Sequence, residues 1–291
     1  MLYIIATIFI SVFLLFLFKL FTRYQVNSFA AIIINYIVAF TTGMLFFDEP
    51  IEINKIVSSA WFPIAVPLGG VFLFIFYLIS QTTQRISIAT ASVANKMSVV
   101  IPVLFSIFYL HEELPLLKLC GVCLALLAVY LASASSSNEP YLKKLAWLPI
   151  LVFFGSGFID VTLNYTNAFK IKSSNDSAAF TTVTFLSAFC FGIIVVLYQL
   201  VTQKASVKTF FNVKNIIAGI ALGVPNYFSI YFIFKSLDTH ILNSAQLFPV
   251  LNLCNVALAA ITGWLIFKEK LSVKNIAGII LALIAIILIA I

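Results

Sequence analysis

The sequence predicts an all-α integral membrane protein, with ten transmembrane helices in two inverted five-helix repeats. Three observations predict it. The composition is too apolar for a water-soluble fold, ten stretches are long enough to cross a bilayer with almost no charge in them, and one half of the chain resembles the other. Of 291 residues, 63% are hydrophobic and 9% charged, against about 45–50% and about 25% in soluble domains. Seventeen Lys and Arg with ten Asp and Glu cannot clothe a chain of this length in a polar skin. A mean hydropathy of +1.13 spreads the apolar surplus over the whole chain rather than over one anchor.

A helix needs roughly 20 apolar residues to span the hydrocarbon core, and charge-poor runs of about that length fix the elements in order. Leu2 to Phe18 has no basic residue before it and no small-residue cleavage site after it, so it reads as a retained first helix and not a signal peptide. Ser28 to Phe47 follows Lys19 and Arg23 and ends at Asp48-Glu49-Pro50. Trp61 to Gln81 and Ile86 to Leu110 are separated by Arg85, and Leu116 to Ser135 begins after Glu112-Glu113-Leu114-Pro115. Ala146 to Tyr165, Ala178 to Thr202 and Ile216 to Phe234 follow; Ile241 to Phe267 and Asn275 to Ile291 are parted by Lys268-Glu269-Lys270. No loop is long enough for a soluble domain. Polar stretches from Ser133 to Lys144 and from Lys170 to Asp176 flank the sixth span, and the first divides the chain into residues 1–138 and 139–291. The four cysteines lie in apolar runs as small hydrophobes. Cys120 and Cys123 have no His or acidic partner in their helix, so neither a metal nor a redox cofactor is expected.

The halves align. Tyr109 to Ala134 matches Ile266 to Ile291 without a gap at an offset of 157, pairing Glu112 with Glu269, Leu114 with Leu271 and Gly121 with Gly278. An offset of 149 pairs Ser28, Ala39, Phe40 and Gly43 with Ser177, Ala188, Phe189 and Gly192, and one of 154 pairs Gly69 and Tyr77 with Gly223 and Tyr231. With five helices each, the second copy enters the membrane from the opposite face. Inverted repeats of this kind are a frequent architecture of secondary transporters.

The basic residues set an orientation and leave no patch for nucleic acid. The odd-numbered loops hold Lys19, Arg23, Arg85, Lys143, Lys144, Lys204, Lys208, Lys214, Lys268, Lys270 and Lys274; the even loops hold Lys55, Lys118, Lys170, Lys172 and Lys235. The positive-inside rule puts the odd loops in the cytoplasm and both termini outside.

The pattern resembles the EamA-type transporters of the drug/metabolite transporter superfamily. The residues that carry the resemblance run from Pro102-Val103-Leu104 to His111-Glu112-Glu113-Leu114 in the first half. In the second they run from Gln246-Leu247-Phe248-Pro249-Val250 to Lys268-Glu269-Lys270-Leu271-Ser272. It covers essentially the whole chain. The resemblance implies secondary transport of small metabolites across the cytoplasmic membrane, often export, with a central cavity lined by both repeats. The chain departs from the family where both termini count as external and where Asp48, Glu49 and Glu52 make the second loop acidic; it also lacks the first-helix glutamate that small multidrug relatives use for proton coupling, which weakens a drug/proton antiport reading.

Two charges lie inside spans, and these are the strongest site candidates. An ammonium at helix centre costs roughly 2.5 to 3.5 kcal/mol on insertion scales, so Lys96 should meet a wet or anionic interior; the alternatives are snorkelling or a fixed ion pair. Asn95, Ser98 and Ser92 accompany it, with Pro102 to loosen the backbone. Asp160 either couples a proton or serves as a structural partner; it aligns with Lys19 when Tyr24 is matched to Tyr165, which suggests a cross-repeat pair between the two. Asn164 is one turn on. In the second repeat Gln246, Asn252 and Asn255 surround Pro249, and Asn226 and Tyr231 follow Pro225, with Tyr77 as the counterpart of Tyr231. Pro102, Pro225 and Pro249 are candidate helix breaks, since freed carbonyls serve transporter sites, or ordinary kinks. Asn35 and Tyr36 are second-tier. Glu112 and Glu269, in hairpins at membrane edges, read as solvated or capping residues rather than as gates.

These observations favour a carrier of a small organic metabolite, amino acids or related compounds among them, exported by alternating access around a midplane cavity. The partners are that substrate and the lipid bilayer, with a coupling proton or counter-substrate as an optional third. The chain would work as a monomer or weak homo-oligomer, without cofactor or metal, and not as an enzyme. A polytopic enzyme acting on a lipid-linked substrate, a channel and a drug/proton antiporter are the alternatives; His111 and His240 stand without paired acids, which disfavours the enzyme. The orientation has a direct check. A C-terminal fusion to a reporter active only outside the cytoplasm is expected to be active, and a silent reporter places the termini inside.

Overall fold

The computed structural model describes residues 2–46, 53–110, 116–133, 144–202, 207–210, 212–238 and 244–290. Its helices are α1 (Leu2–Tyr24), α2 (Ser28–Leu45), α3 (Ile53–Val57), α4 (Phe62–Arg85), α5 (Ile88–Met97), α6 (Val100–Leu110), α7 (Leu116–Ser133), α8 (Trp147–Phe169), α9 (Ser174–Val201), α10 (Val207–Phe210), α11 (Val213–Asp238), α12 (Ser244–Leu265) and α13 (Val273–Ala290). Seven apolar stretches of 18 residues or more can cross a bilayer, one of them running from Ile88 to Phe105 through both α5 and α6. Shorter apolar stretches at Leu119–Leu131, Val250–Leu265 and Val273–Ile289 bring the spans to ten. The protein is an all-α multi-pass membrane protein.

Several helices outrun the charge-free windows of the sequence. α1 continues through Lys19 and Arg23 to Tyr24, α4 through Arg85, and α11 begins at Val213 and ends at Asp238. Charged residues near a span end do not stop the helix, and Arg23 and Arg85 in the last turns of α1 and α4 complement the helix dipole. The ends are set by local chemistry. Gln25, at φ 55, takes the left-handed conformation after α1, and the Val26 N–H returns to the Phe21 carbonyl at 2.9 Å, closing a Schellman turn. Asn27, Ser87 and Ser173 cap α2, α5 and α9, each side-chain oxygen accepting the N–H three residues on. Before α13, Ser272 and Asn275 exchange side-chain and backbone hydrogen bonds as a capping box. The acidic hairpins Asp48-Glu49-Pro50 and Glu112-Glu113-Leu114-Pro115, with Glu52, His111 and His240, fall outside the described residues.

The chain forms two compact units, each taking helices from both halves of the sequence. One comprises Met1–Lys19, Leu78–Val161 and Phe228–Ile291. In it α7 packs along α13, α5 packs on α12, α7 and α13, and α6 touches α7. Its core joins Val93, Met97 and Val100 to Val122, Ala125 and Ala128, and to Val256, Ala282, Ala285 and Ile286. Small residues permit the approach of α7 to α13, for a Cβ on Gly121 would stand 3.1 Å from the Ala285 carbonyl. Without water to drive association, spans in lipid pack through such close backbone contacts.

The other unit comprises Leu20–Tyr77 and Thr162–Tyr227, and its glycine contacts are reciprocal. A Cβ on Gly43 of α2 would meet Thr182 of α9, and one on Gly192 of α9 would meet Ile33 of α2; both pairs are related by the offset of 149. A Cβ on Gly69 of α4 would lie 2.7 Å from the Thr184 carbonyl of α9, and one on Gly223 of α11 would lie 2.7 Å from the Asn35 carbonyl of α2. These two contacts are again repeat-related, through the offsets of 154 and 149. A duplicated chain folded about a pseudo-two-fold axis makes each contact twice in this way.

The neighbours of adjacent glycines separate two outcomes. At Gly69 a Cβ also meets the Ala188 backbone nitrogen at 2.6 Å, whereas at Gly70 the nearest atoms are those of the Phe191 ring at 3.3 Å. Gly69→Ala is expected to cost about 1–3 kcal/mol, the usual penalty for overpacking. Gly70→Ala should cost far less, since a ring can move and a backbone cannot. Thermal unfolding of the detergent-solubilised variants checks the difference.

Candidate transport site

The fourth span is broken, and the break follows from two residues. Pro102 has no N–H to offer the Ser98 carbonyl and its ring crowds that carbonyl. The Ser98 carbonyl instead accepts from the Ile101 N–H at 2.9 Å, one residue short of an α-helical bond. The Ser98 hydroxyl reaches back to the Asn95 carbonyl at 2.5 Å, the competition with the backbone that loosens helices at serine. α5 therefore ends at Met97 and α6 starts at Val100. Lys96 sits in the last turn of α5, where the carbonyl end of the helix favours a cation.

Asp160 meets this break from α8. Gly157, one turn before it, lies so close to α6 that a Cβ there would overlap the Ile101 side chain. That approach brings the Asp160 carboxylate within 3.1 Å of the Ser98 hydroxyl, two residues on from Lys96. Ser98 has one proton and two acceptors, the Asn95 carbonyl and Asp160. Asn95, Lys96 and Asp160 are half-buried and Ser98 is buried. A cation, a carboxylate, an amide and a hydroxyl thus converge where a single span is discontinuous.

α5 and α12 are the corresponding helices of the two repeats, and they meet at polar positions. The Ser92 hydroxyl donates to the Asn255 carbonyl at 3.3 Å. The Asn255 side-chain oxygen is buried with no hydrogen-bond partner among the described residues. At the offset of 157 Asn95 falls on Asn252 and Ser98 on Asn255, so both polar positions of α5 recur on α12. Asn252 is half-buried on α12; the side chains of Gln246 and Pro249 lie outside the described residues. Tyr231 packs edge-on to Phe228, and Lys235 stands 5.7 Å from its ring centre.

In the second unit Asn226 donates to the Asn35 side-chain oxygen at 3.1 Å, and Asn35 donates to the Ile32 carbonyl at 3.4 Å. Asn35, a lesser candidate in the sequence, is thereby a fully buried partner of Asn226. Tyr36 packs against Phe76 and Phe185, and Tyr77 meets Phe29 edge to face at 5.7 Å. Asn164 is exposed.

Two expectations need correction. Pro225 and Pro249 do not break their helices: α11 and α12 run on through them. A proline costs a helix one hydrogen bond, yet α11 continues across Pro225 and is held beside α2 by Gly219, Gly223 and Asn226. Lys19 does not pair with Asp160 either. Its ammonium lies 2.6 Å from Glu269, because α1 ends beside the hairpin that carries this carboxylate. Glu269 is a capping residue as the sequence suggested, but it is buried and it caps a helix of the other repeat. The Ile88 N–H donates to both its oxygens at 3.2 Å.

Ten apolar helical segments among the described residues define the class of a multi-pass membrane protein. The model of the EamA-like transporter family matches residues 1–134 and again 147–291, and the chain belongs to this family. An uncharacterised protein of Haemophilus influenzae (strain ATCC 51907 / DSM 11121 / KW20 / Rd) is 29% identical over 262 residues, 88% of this chain and 86% of its own. A protein of known crystal structure shares the fold with a TM-score of 0.55 at 13% identity, over 97% of this chain and 96% of the other.

If Lys96 and Asp160 compensate each other, removing both should hurt less than removing one. Lys96→Met and Asp160→Asn are each expected to destabilise, and the double variant to be more stable than their summed effects predict by about 0.5–3 kcal/mol. Unfolding of the four proteins in a denaturing-detergent titration measures that coupling.

Proposed function

We propose that the protein is a secondary transporter that exports a small organic metabolite carrying both a cationic and an anionic group, such as an amino acid or related compound, across the cytoplasmic membrane. The observation that carries this reading is the break in the fourth span, which gathers Lys96, Asp160, Ser98 and Asn95. A substrate carboxylate replaces Asp160 as the partner of Lys96, and a substrate ammonium replaces Lys96 as the partner of Asp160. Each buried charge then stays compensated with and without substrate. Asn252 and Asn255, on the helix that packs against α5, are further polar groups beside this site. Residues 1–138 and 139–291 act as the two inverted repeats, rocking against each other so that the site opens to one face at a time. The termini lie outside the cytoplasm, a proton or a counter-substrate drives the cycle, and no chemical step is catalysed.

Uptake and efflux in proteoliposomes, screened over a metabolite panel, test the proposal. For a substrate that is moved, Lys96→Ala and Asp160→Asn should each lower the rate by about tenfold or more, the equivalent of losing roughly 1.4 kcal/mol of interaction. Wild-type rates in both variants would remove these residues from the site.

A further inference from the structure

At the face of the membrane reached by the end of α1, one carboxylate ties together segments from both halves of the sequence. Glu269 lies in the hairpin between α12 and α13. Its side chain is 8% exposed and pairs at 2.6 Å with Lys19 of α1, itself 18% exposed. Lys19 also donates to the Thr83 carbonyl at 3.2 Å, in the last turn of α4. The Glu269 oxygens accept from the Ile88 N–H at the start of α5. The hairpin is bent to deliver this group: Lys268 takes a left-handed φ of 51, and the Glu269 N–H bonds back to the Gly263 carbonyl at 3.0 Å. Gly263 leaves the space the carboxylate fills, since a Cβ there would stand 2.5 Å from Glu269 Oε2.

We propose that Glu269 and Lys19 form a latch that closes this face of the protein, holding the second-repeat hairpin against the α4–α5 turn of the first repeat, and that it opens when access switches. The inference rests on the transport reading. A permanent brace would be cheaper to build from apolar contacts, because two charges withdrawn from water gain little over a hydrophobic replacement. What the ion pair adds is reversibility. Once the face opens, water solvates both charges, so the open state is not penalised as an exposed apolar contact would be. The α5 N-terminus remains capped by Ser87, which accepts from the Thr90 N–H at 2.9 Å, so α5 survives release of Glu269. The turn between α4 and α5 can therefore move away without unravelling the helix that carries Lys96.

The test uses full-length protein in proteoliposomes, with Cys120, Cys123, Cys190 and Cys254 changed to Ser. Spin labels at Arg85→Cys and Lys270→Cys, both exposed and outside the latch, report the distance between the α4–α5 turn and the hairpin. In parallel, an Asn95→Cys protein is labelled from the latch face with a membrane-impermeant maleimide. In Glu269→Gln and in Lys19→Met a second, longer distance population should appear. Labelling of position 95 should rise about fivefold or more, the size of a modest coupling between sites, with no further rise in the double variant. Lys19→Arg, which keeps the charge, should stay closed and guards against misfolding as the cause. An unchanged distance distribution overturns the latch, and so does a longer distance without gain in labelling, which would be mere fraying of the hairpin. When both signals change, the latch stands even where no metabolite is moved; that result counts against the transport reading alone.

Discussion

A charge inside a hydrocarbon slab persists only where something compensates it, and the arrangement of this protein's interior follows from that constraint. The chain carries 27 charged residues, nearly all at span ends. Lys96 and Asp160 are half-buried inside spans, and their helices meet. That meeting needs α8 to come close to α6, which Gly157 permits, and it needs the fourth span to open, which Ser98 and Pro102 arrange. The same constraint operates at the membrane edge, where Lys19 and Glu269 are partly withdrawn from water and each has a second partner besides the other. Thr83 serves the ammonium and Ile88 the carboxylate. A buried pair with unsatisfied protons or lone pairs would be a liability; here the backbone at two helix ends completes it.

The amount of structure legible in the sequence depended on the range of the signal. Span number and approximate limits could be read because a bilayer imposes one length on every crossing. The ends could not, since Lys19, Arg23 and Arg85 look like stop signals yet belong to the last helical turns. The helices α3 and α10 lie in polar connections and carry no membrane signal. Lys96, Asp160 and Ser98 were recognisable one by one, because each is costly or helix-loosening where it stands, although the alignment pointed Asp160 to Lys19. Their contact was not, because it depends on Gly157 allowing one backbone to approach another, and a glycine in a membrane span has many other uses. The assignment of Lys19 failed for a related reason. Repeat alignment reports which positions correspond, and correspondence under a two-fold axis does not imply contact.

The three prolines show why composition underdetermines local shape. Each lacks one N–H, but only Pro102 coincides with an interruption. There the deprived carbonyl belongs to Ser98, whose own hydroxyl already competes for the Asn95 carbonyl, so two departures from α-helical bonding fall within one turn. At Pro225 the neighbouring residues pull the other way. Gly223 brings the helix against α2, and Asn226 bonds to Asn35 next to it, so tertiary contacts support the helix across the missing bond. A proline is permission to break, and the surrounding bonds decide whether it is used.

The duplication explains why the small residues matter as pairs. Gly43 against Thr182 and Gly192 against Ile33 are one contact made twice, and so are Gly69 against Thr184 and Gly223 against Asn35. When a gene doubles, every close approach in the ancestral helix pair becomes a reciprocal pair, and a substitution then affects one copy only. The copies have since diverged in polarity: Thr182 corresponds to Ile33, and Thr184 to Asn35, whose side chain bonds Asn226. Packing positions stayed small while their neighbours changed character. Backbone proximity, fixed by glycine, thus gives both copies the same shape, and the side chains around it are free to differ. That freedom is what lets an approximately symmetric scaffold hold an asymmetric set of groups, with a lysine at position 96 where the other repeat has Leu253.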